Sequence, residues 1–140
     1  PAEAVVTWDL RPQYNKTMDE LCAKFLPAIE GAAASIGATV EIRNSFRIPA
    51  AELHDEATAL LAESISAVLG ESNCVEPIYT PGGEDFFFYT VEKPSLKAGF
   101  FGLGCNLRPG LHHPDMSFDT SALENGVSIW LDLVKRLLGE

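Results

Sequence analysis

The residues best suited to chemistry lie in one Gly/Pro-bounded segment, Gly110-Leu111-His112-His113-Pro114-Asp115, of this 140-residue chain. An imidazole on a loop that follows an apolar run (Ala98 to Leu103) is placed as metal ligands and acid–base groups are placed. His113 adds little to such a claim, because neighbours on an extended chain point to opposite sides and rarely reach one ion. By residue type alone, His112 fits a surface histidine in a polar loop equally well. A second segment, Thr80-Pro81-Gly82-Gly83-Glu84-Asp85-Phe86, joins a flexible turn to two acids that open a short aromatic helix. Glycines there let the backbone approach a ligand closely, and free amides at a helix start can hold an anion such as a carboxylate. The acids themselves would repel an anion, so a tight turn with dipole-favoured acids is the structural alternative. Cys105 and His112 invite comparison with a thiol–imidazole nucleophile, but no neighbouring pattern orients the histidine or supplies an oxyanion hole.

These segments need elements to hold them. Ala4 to Leu10 mixes β-branched and aromatic residues and stops at Arg11-Pro12, predicting a strand. Thr17-Met18-Asp19-Glu20 has the form of a capping box. After it, Leu21, Phe25, Ile29, Ala32, Ala33 and Ile36 recur at helical spacing until Gly37, with Pro27 expected to bend the helix. Thr39 to Ile42 alternates like a strand, which completes a β-α-β unit. A boundary is expected near Pro49. Leu53, Ala57, Leu60, Leu61, Ser64, Ile65 and Val68 then predict a second amphipathic helix ending at Gly70. Cys74 to Tyr79 reads as an edge strand, Glu84 to Glu92 as a short helix, and Ala98 to Leu103 as a buried strand. The run Phe86 to Tyr89 is expected in the core. Ser121-Ala122-Leu123-Glu124, a second capping box, opens a last helix through Leu138. Strands alternating with helices predict an α/β fold with a largely parallel sheet.

Composition narrows the function classes. A net charge of −10 opposes nucleic-acid and anionic-membrane surfaces, which call for clustered Lys and Arg. No apolar run reaches the ~20 residues needed to span a bilayer. Three widely spaced cysteines, Cys22, Cys74 and Cys105, without a CxxC pair, suit buried reduced thiols in a cytoplasmic protein. The chain starts at Pro1 and enters its first expected strand within a few residues, which predicts a piece of a longer protein.

Taken in order, Gly82-Gly83-Glu84-Asp85-Phe86, then Leu111-His112-His113-Pro114, then Phe118-Asp119, the chain resembles the C-terminal half of the zinc amidohydrolases. That group includes aminoacylase, hippurate hydrolase, indole-acetyl-amino-acid hydrolase and carboxypeptidase-G-like enzymes. The resemblance implies that His112 is a zinc ligand in the parent enzyme, where two divalent ions, zinc or other metals, would bind. It implies substrate-lining roles for Gly82, Gly83, Glu84 and Asp85. Arg11 matches the arginine that closes a strand of the family's small lid domain and joins the substrate-binding set, although a solvated arginine fits as well. His54 stands where many relatives carry Asn before Asp. By the same resemblance, residues 1–46 are half of a ferredoxin-like lid or dimerisation domain, and 47–140 are the closing α/β segment of the catalytic domain. The remaining metal ligands and the general base belong to the family's N-terminal half, and no adjacent glutamate pair occurs here. The expected activity is hydrolysis of N-acyl amino acids or small peptides by the parent, with this chain alone inactive. Unpaired strand edges of a half lid predict a homo-oligomer. The alternative is a free-standing, non-catalytic α/β module that binds a protein partner.

Overall fold

The chain was analysed as a computed structural model, which describes residues 2–80 and 82–139. Its helices are α1 (Asn15–Ser35), α2 (Asp55–Leu69), α3 (Phe88–Glu92) and α4 (Ala122–Leu138), with 3-10 turns at Glu71–Asn73 and Asp85–Phe87. Two compact units share them. One comprises Pro1–Glu52 with Tyr79–Leu96, the other Leu53–Ile78 with Lys97–Glu140.

The expected α/β fold is not the one adopted. Among the described residues there is no sheet, and the only strand-like pairings are the isolated antiparallel bridges Ala50↔Gly83 and Arg108↔Ser117. Neither a β-α-β half of a ferredoxin-like lid nor a strand-built catalytic segment is formed. The reason lies in what a period-two pattern reports. It marks an extended chain with one covered face, whereas a strand also needs a neighbour of matching register. Ala98 to Leu107 shows the difference. Phe101, Leu103, Cys105 and Leu107 are half-buried and alternate with exposed Gly102, Gly104 and Asn106, yet no second chain pairs with them. Val5, Val6 and Trp8 are likewise extended, unpaired and exposed. With the strands goes the argument that lid-strand edges drive oligomerisation.

In the first unit, α1 carries a half-buried stripe of Met18, Leu21, Phe25, Ile29 and Ala33. Trp8 packs edge-on against Phe25, with ring centroids 5.4 Å apart. The helix runs through Pro27 and stops where expected: Gly37 takes φ 70° and its amide reaches Ala34 O at 3.1 Å. The Ala38 amide reaches Ala33 O at 2.9 Å, so the paired bonds form a Schellman stop, which needs a residue at ease in left-handed backbone. The start differs from expectation. The helix begins at Asn15, two residues ahead of Thr17, and no side chain of a capping box bonds its first turn. Glu52, distant in sequence, takes that role. Its Oε1 accepts the Asn15 amide at 2.8 Å, and its Oε2 accepts Asn15 Nδ2 at 3.1 Å. Asn15 Oδ1 accepts the Ala50 amide at 3.0 Å, and Arg47 donates to Asn15 O at 3.1 Å while pairing with Asp19. Losing such a carboxylate costs about 1 kcal/mol. Thermal unfolding followed by circular dichroism should therefore show Glu52→Ala melting earlier, and Glu52→Gln falling between it and the parent sequence. Equal melting of all three would remove Glu52 from this role.

In the second unit, α2 packs on α4. Leu61 and Ser64 are buried on α2; Ala122, Gly126, Ile129 and Leu133 are buried on α4. Arg136 reaches Glu63 of α2 at 3.3 Å and Asp132 of its own helix at 2.5 Å. The Arg136 guanidinium holds the Asp132 carboxyl below its ordinary value. The 97–107 segment lies on both helices: Gly99 faces Leu61 and Ala57, where a Cβ would stand 2.6 Å from Leu61 Cδ1, and the Phe101 ring meets Trp130 at 5.6 Å. Lys97 pairs with Glu56, and the His54 amide donates to Ala98 O at 2.8 Å. His54 thus latches this segment to the start of α2, with its Nδ1 buried and unpartnered among the described residues.

Candidate functional site

His112 sits at the tip of a loop that closes on itself. Arg108 and Ser117 exchange two backbone hydrogen bonds, of 2.9 and 2.8 Å, and so form a neck beneath residues 109–116. Inside the loop, the His113 amide reaches Gly110 O at 3.4 Å and the Met116 amide reaches His113 O at 3.0 Å. Below the neck, the Asp119 amide donates to Cys105 O at 2.8 Å, which joins the loop to the segment lying on α2 and α4. Asp119 Oδ1 accepts both the Ser121 amide (3.0 Å) and the Ser121 hydroxyl (2.7 Å). These two bonds hold the Asp119 carboxyl below its usual range. The second capping box is accordingly not what opens α4. Ser121 is the residue ahead of the helix, but its amide and hydroxyl donate to Asp119 and not to Glu124, so the Asp119 turn takes the place of the box. An Asp two residues before Ser at the head of an apolar run is a legible Asx-turn signal, which the capping-box match obscures.

The two histidines of the tip differ in kind. His112 adopts φ 63°, in the left-handed region that histidine tolerates better than most non-glycine residues, and its exposed ring has no hydrogen-bond partner among the described residues. His113 Nδ1 accepts the Asp115 amide at 3.1 Å and lies 3.9 Å from Asp115 Oδ2. In the neutral ring that leaves the proton on Nε2. Sequence reasoning misses one point here: His113-Pro114-Asp115 itself spells His-x-Asp. The structure makes it a contact within the loop tip.

Gly82, Gly83, Glu84, Asp85 and Arg11 belong to the first unit, and His112 to the second. The Gly82 amide donates to Thr80 Oγ1 at 3.2 Å. Gly83 pairs with Ala50, and a Cβ there would lie 3.0 Å from both Ile48 Cγ2 and Pro49 O, a tight approach of two backbone segments that favours a glycine at this position. Glu84 is extended and precedes the 3-10 turn that Asp85 opens. Arg11 is engaged locally: its Nε and Nη2 lie 2.8 and 2.7 Å from Asp9 Oδ2, and the pair raises the arginine's pKa and lowers that of Asp9. Of the aromatic run, Phe87 alone is buried. Phe86, Phe88 and Tyr89 instead line an open groove of about 640 Å³ with Asp85 and Glu92. The three thiols are free, with Cys74 and Cys105 half-buried but Cys22 exposed, contrary to the expectation of burial.

Beyond this geometry, one comparison is decisive. The model of Peptidase family M20/M25/M40 matches residues 4–136. The chain belongs to this peptidase family. No curated protein and no solved structure matches it. Enzymes of the M20/M25/M40 family are generally metal-dependent, and a metal centre needs about three fixed protein ligands. Among the described residues of this M20/M25/M40 chain, no three His, Cys, Asp or Glu side chains come together in a way that could hold an ion. The donor set present does not complete such a centre. No helix among the described residues is long and apolar enough to cross a membrane.

Proposed function

We propose that the chain is part of a metal-dependent amidohydrolase or carboxypeptidase that hydrolyses the amide bond of N-acyl amino acids or small peptides. The observation that carries this reading is the pinned loop of a peptidase-family chain, with the His112 ring unpartnered at its tip while His113 is tied down. His112 would supply one nitrogen to a centre whose other ligands lie outside this chain, with zinc the expected ion. When bound, such an ion supplies a water activated at neutral pH and polarisation of the scissile carbonyl. The chain's own part is to present the imidazole and to line the substrate. Gly82 and Gly83 allow a close backbone approach, with Glu84 and Asp85 beside them. Arg11 would engage a substrate carboxylate only by giving up Asp9. Residues 1–46 would serve as part of the lid and 47–140 as part of the catalytic domain, in a cytoplasmic enzyme closest in type to the hippurate and indole-acetyl-amino-acid hydrolases.

The test begins with the open reading frame, which the proposal requires to be at least twice as long as this chain. The full-length product should release amino acids from N-acyl amino acids, lose that activity to a chelator and regain it with zinc. This chain alone should show no turnover. A reading frame no longer than the chain, or full activity in chelator, would end the proposal.

A further inference from the structure

In a chain of net charge −10 an arginine has no shortage of acids, and most arginines here have taken one. Arg11 holds Asp9, Arg43 holds Glu3, Arg47 holds Asp19, and Arg136 holds Asp132 and Glu63. The exposed Arg108 side chain has neither an ion pair nor a hydrogen bond among the described residues. The acids nearest to it in sequence are engaged elsewhere. Asp115 Oδ2 lies 3.9 Å from His113 Nδ1, and Asp119 Oδ1 accepts from the Ser121 amide and hydroxyl.

The backbone of Arg108 is fixed although its side chain is free. Its two backbone hydrogen bonds with Ser117, of 2.9 and 2.8 Å, set the two residues directly opposite each other across the antiparallel bridge. Opposed residues of such a pair send their side chains to the same face, with Cα atoms about 5.5 Å apart. The Ser117 hydroxyl, exposed and without a partner among the described residues, therefore stands beside the Arg108 side chain. Together they can donate to one carboxylate, the guanidinium through two parallel N–H groups. His112 is four residues further on, at most about 14 Å of chain. Lys135 is also unpaired, but it lies in the last turn of α4, about 20 Å along the helix from Ala122. Arg108 is thus the free cation placed beside the loop that carries the unpartnered imidazole.

We infer that Arg108, aided by the Ser117 hydroxyl, holds the free carboxylate of the substrate and so sets a preference for amides of unblocked amino acids. The inference rests on the hydrolase reading proposed above. It gives Arg108 the role that Arg11 could fill only by leaving Asp9. An acidic chain opposes the approach of an anionic substrate, so a local cation must offset that field where the carboxylate lands. The carboxylate docks at the neck, and the amide extends toward His112 at the tip.

Calorimetry on the full-length protein tests this without turnover. The probe is a ketomethylene analogue of an N-acyl amino acid, in which CH2 replaces the amide N–H, offered as the free acid and as its carboxamide. The acid should bind about a hundredfold more tightly than the carboxamide. Arg108→Ala should reduce that preference to about threefold or less, and Arg108→Lys should keep part of it, since an ammonium supplies the charge without the fork. Ser117→Ala should lower it about tenfold. The neck is made by backbone groups, so circular dichroism should show the helices intact in every variant. A preference that survives Arg108→Ala, one that Arg11→Ala alone removes, or none in the parent protein would overturn the inference. An Arg108-dependent preference in a protein that hydrolyses no N-acyl amino acid would instead retire the hydrolase reading and leave Arg108 standing as a carboxylate site.

Discussion

Replacing His112 with alanine in the full-length enzyme is expected to reduce hydrolysis of N-acyl amino acids beyond the ~10–100-fold typical of residues that merely support a metal ligand. A residue that itself binds the ion has no substitute in its place, and the His112 ring is the one at the loop tip not already engaged. His113→Ala should cost far less, because that ring spends its Nδ1 on the Asp115 amide. Cys105→Ala should be mild: the Cys105 group that holds the loop is its backbone carbonyl, which accepts from Asp119 and survives the change. Zinc content measured on each purified variant separates the explanations. It should fall in His112→Ala and hold in the other two. Loss of zinc from His113→Ala with His112→Ala unaffected would shift the assignment by one residue. Loss of activity in Cys105→Ala without sensitivity to chelators would replace metal chemistry with that of a thiol.

The largest expected effect on stability belongs to Phe87. It is fully buried in the first unit, its ring edge-on to Phe86 at 5.3 Å between centroids. Removing a buried aromatic ring costs about 3–5 kcal/mol, a large part of the ~5–15 kcal/mol that keeps a domain folded. Phe87→Ala should thus unfold the first unit at much lower urea. Each unit holds one tryptophan, Trp8 in the first and Trp130 in the second. With Trp130→Phe as background, the Trp8 emission should show an earlier midpoint in Phe87→Ala. Tyr89→Ala, at a position 65% exposed, should change it by no more than ~0.5 kcal/mol. An equal response to both would mean that Phe87 is not the centre of the unit.

What could be read in advance divides along the range of the interactions. The face of α2 was legible, since Leu61 and Ser64 follow from spacing along one helix, and so was the extent of α4 to Leu138. So was the stop of α1, where Gly37 acts through its own backbone. The start of α1 was not, because its cap comes from Glu52, and nothing near Thr17 announces a carboxylate so far along the chain. The strands failed for the same reason at larger scale: alternation along 98–107 records a covered face but carries no information on a pairing neighbour. At the candidate site, the Gly/Pro framing picked out the His112 loop, but the Arg108↔Ser117 neck that gives it shape joins residues with no pattern in common. Gly83 was noticed as a turn residue, and its close approach to Ile48 and Pro49 emerged only from the folded chain.

The neck beneath His112 also separates two properties that a simple loop would couple. Because residues 108 and 117 are already bonded to each other, the helix behind them senses only a closed pair of ends. Lengthening the segment between them costs little, with each doubling worth about 0.6 kcal/mol of closure entropy. The distance to which the imidazole projects can therefore change by insertion or deletion without altering where α4 begins. Reach toward a bound partner and soundness of the scaffold become independently adjustable, and that gives a practical handle for redesigning this chain: vary the arm, leave the hinge.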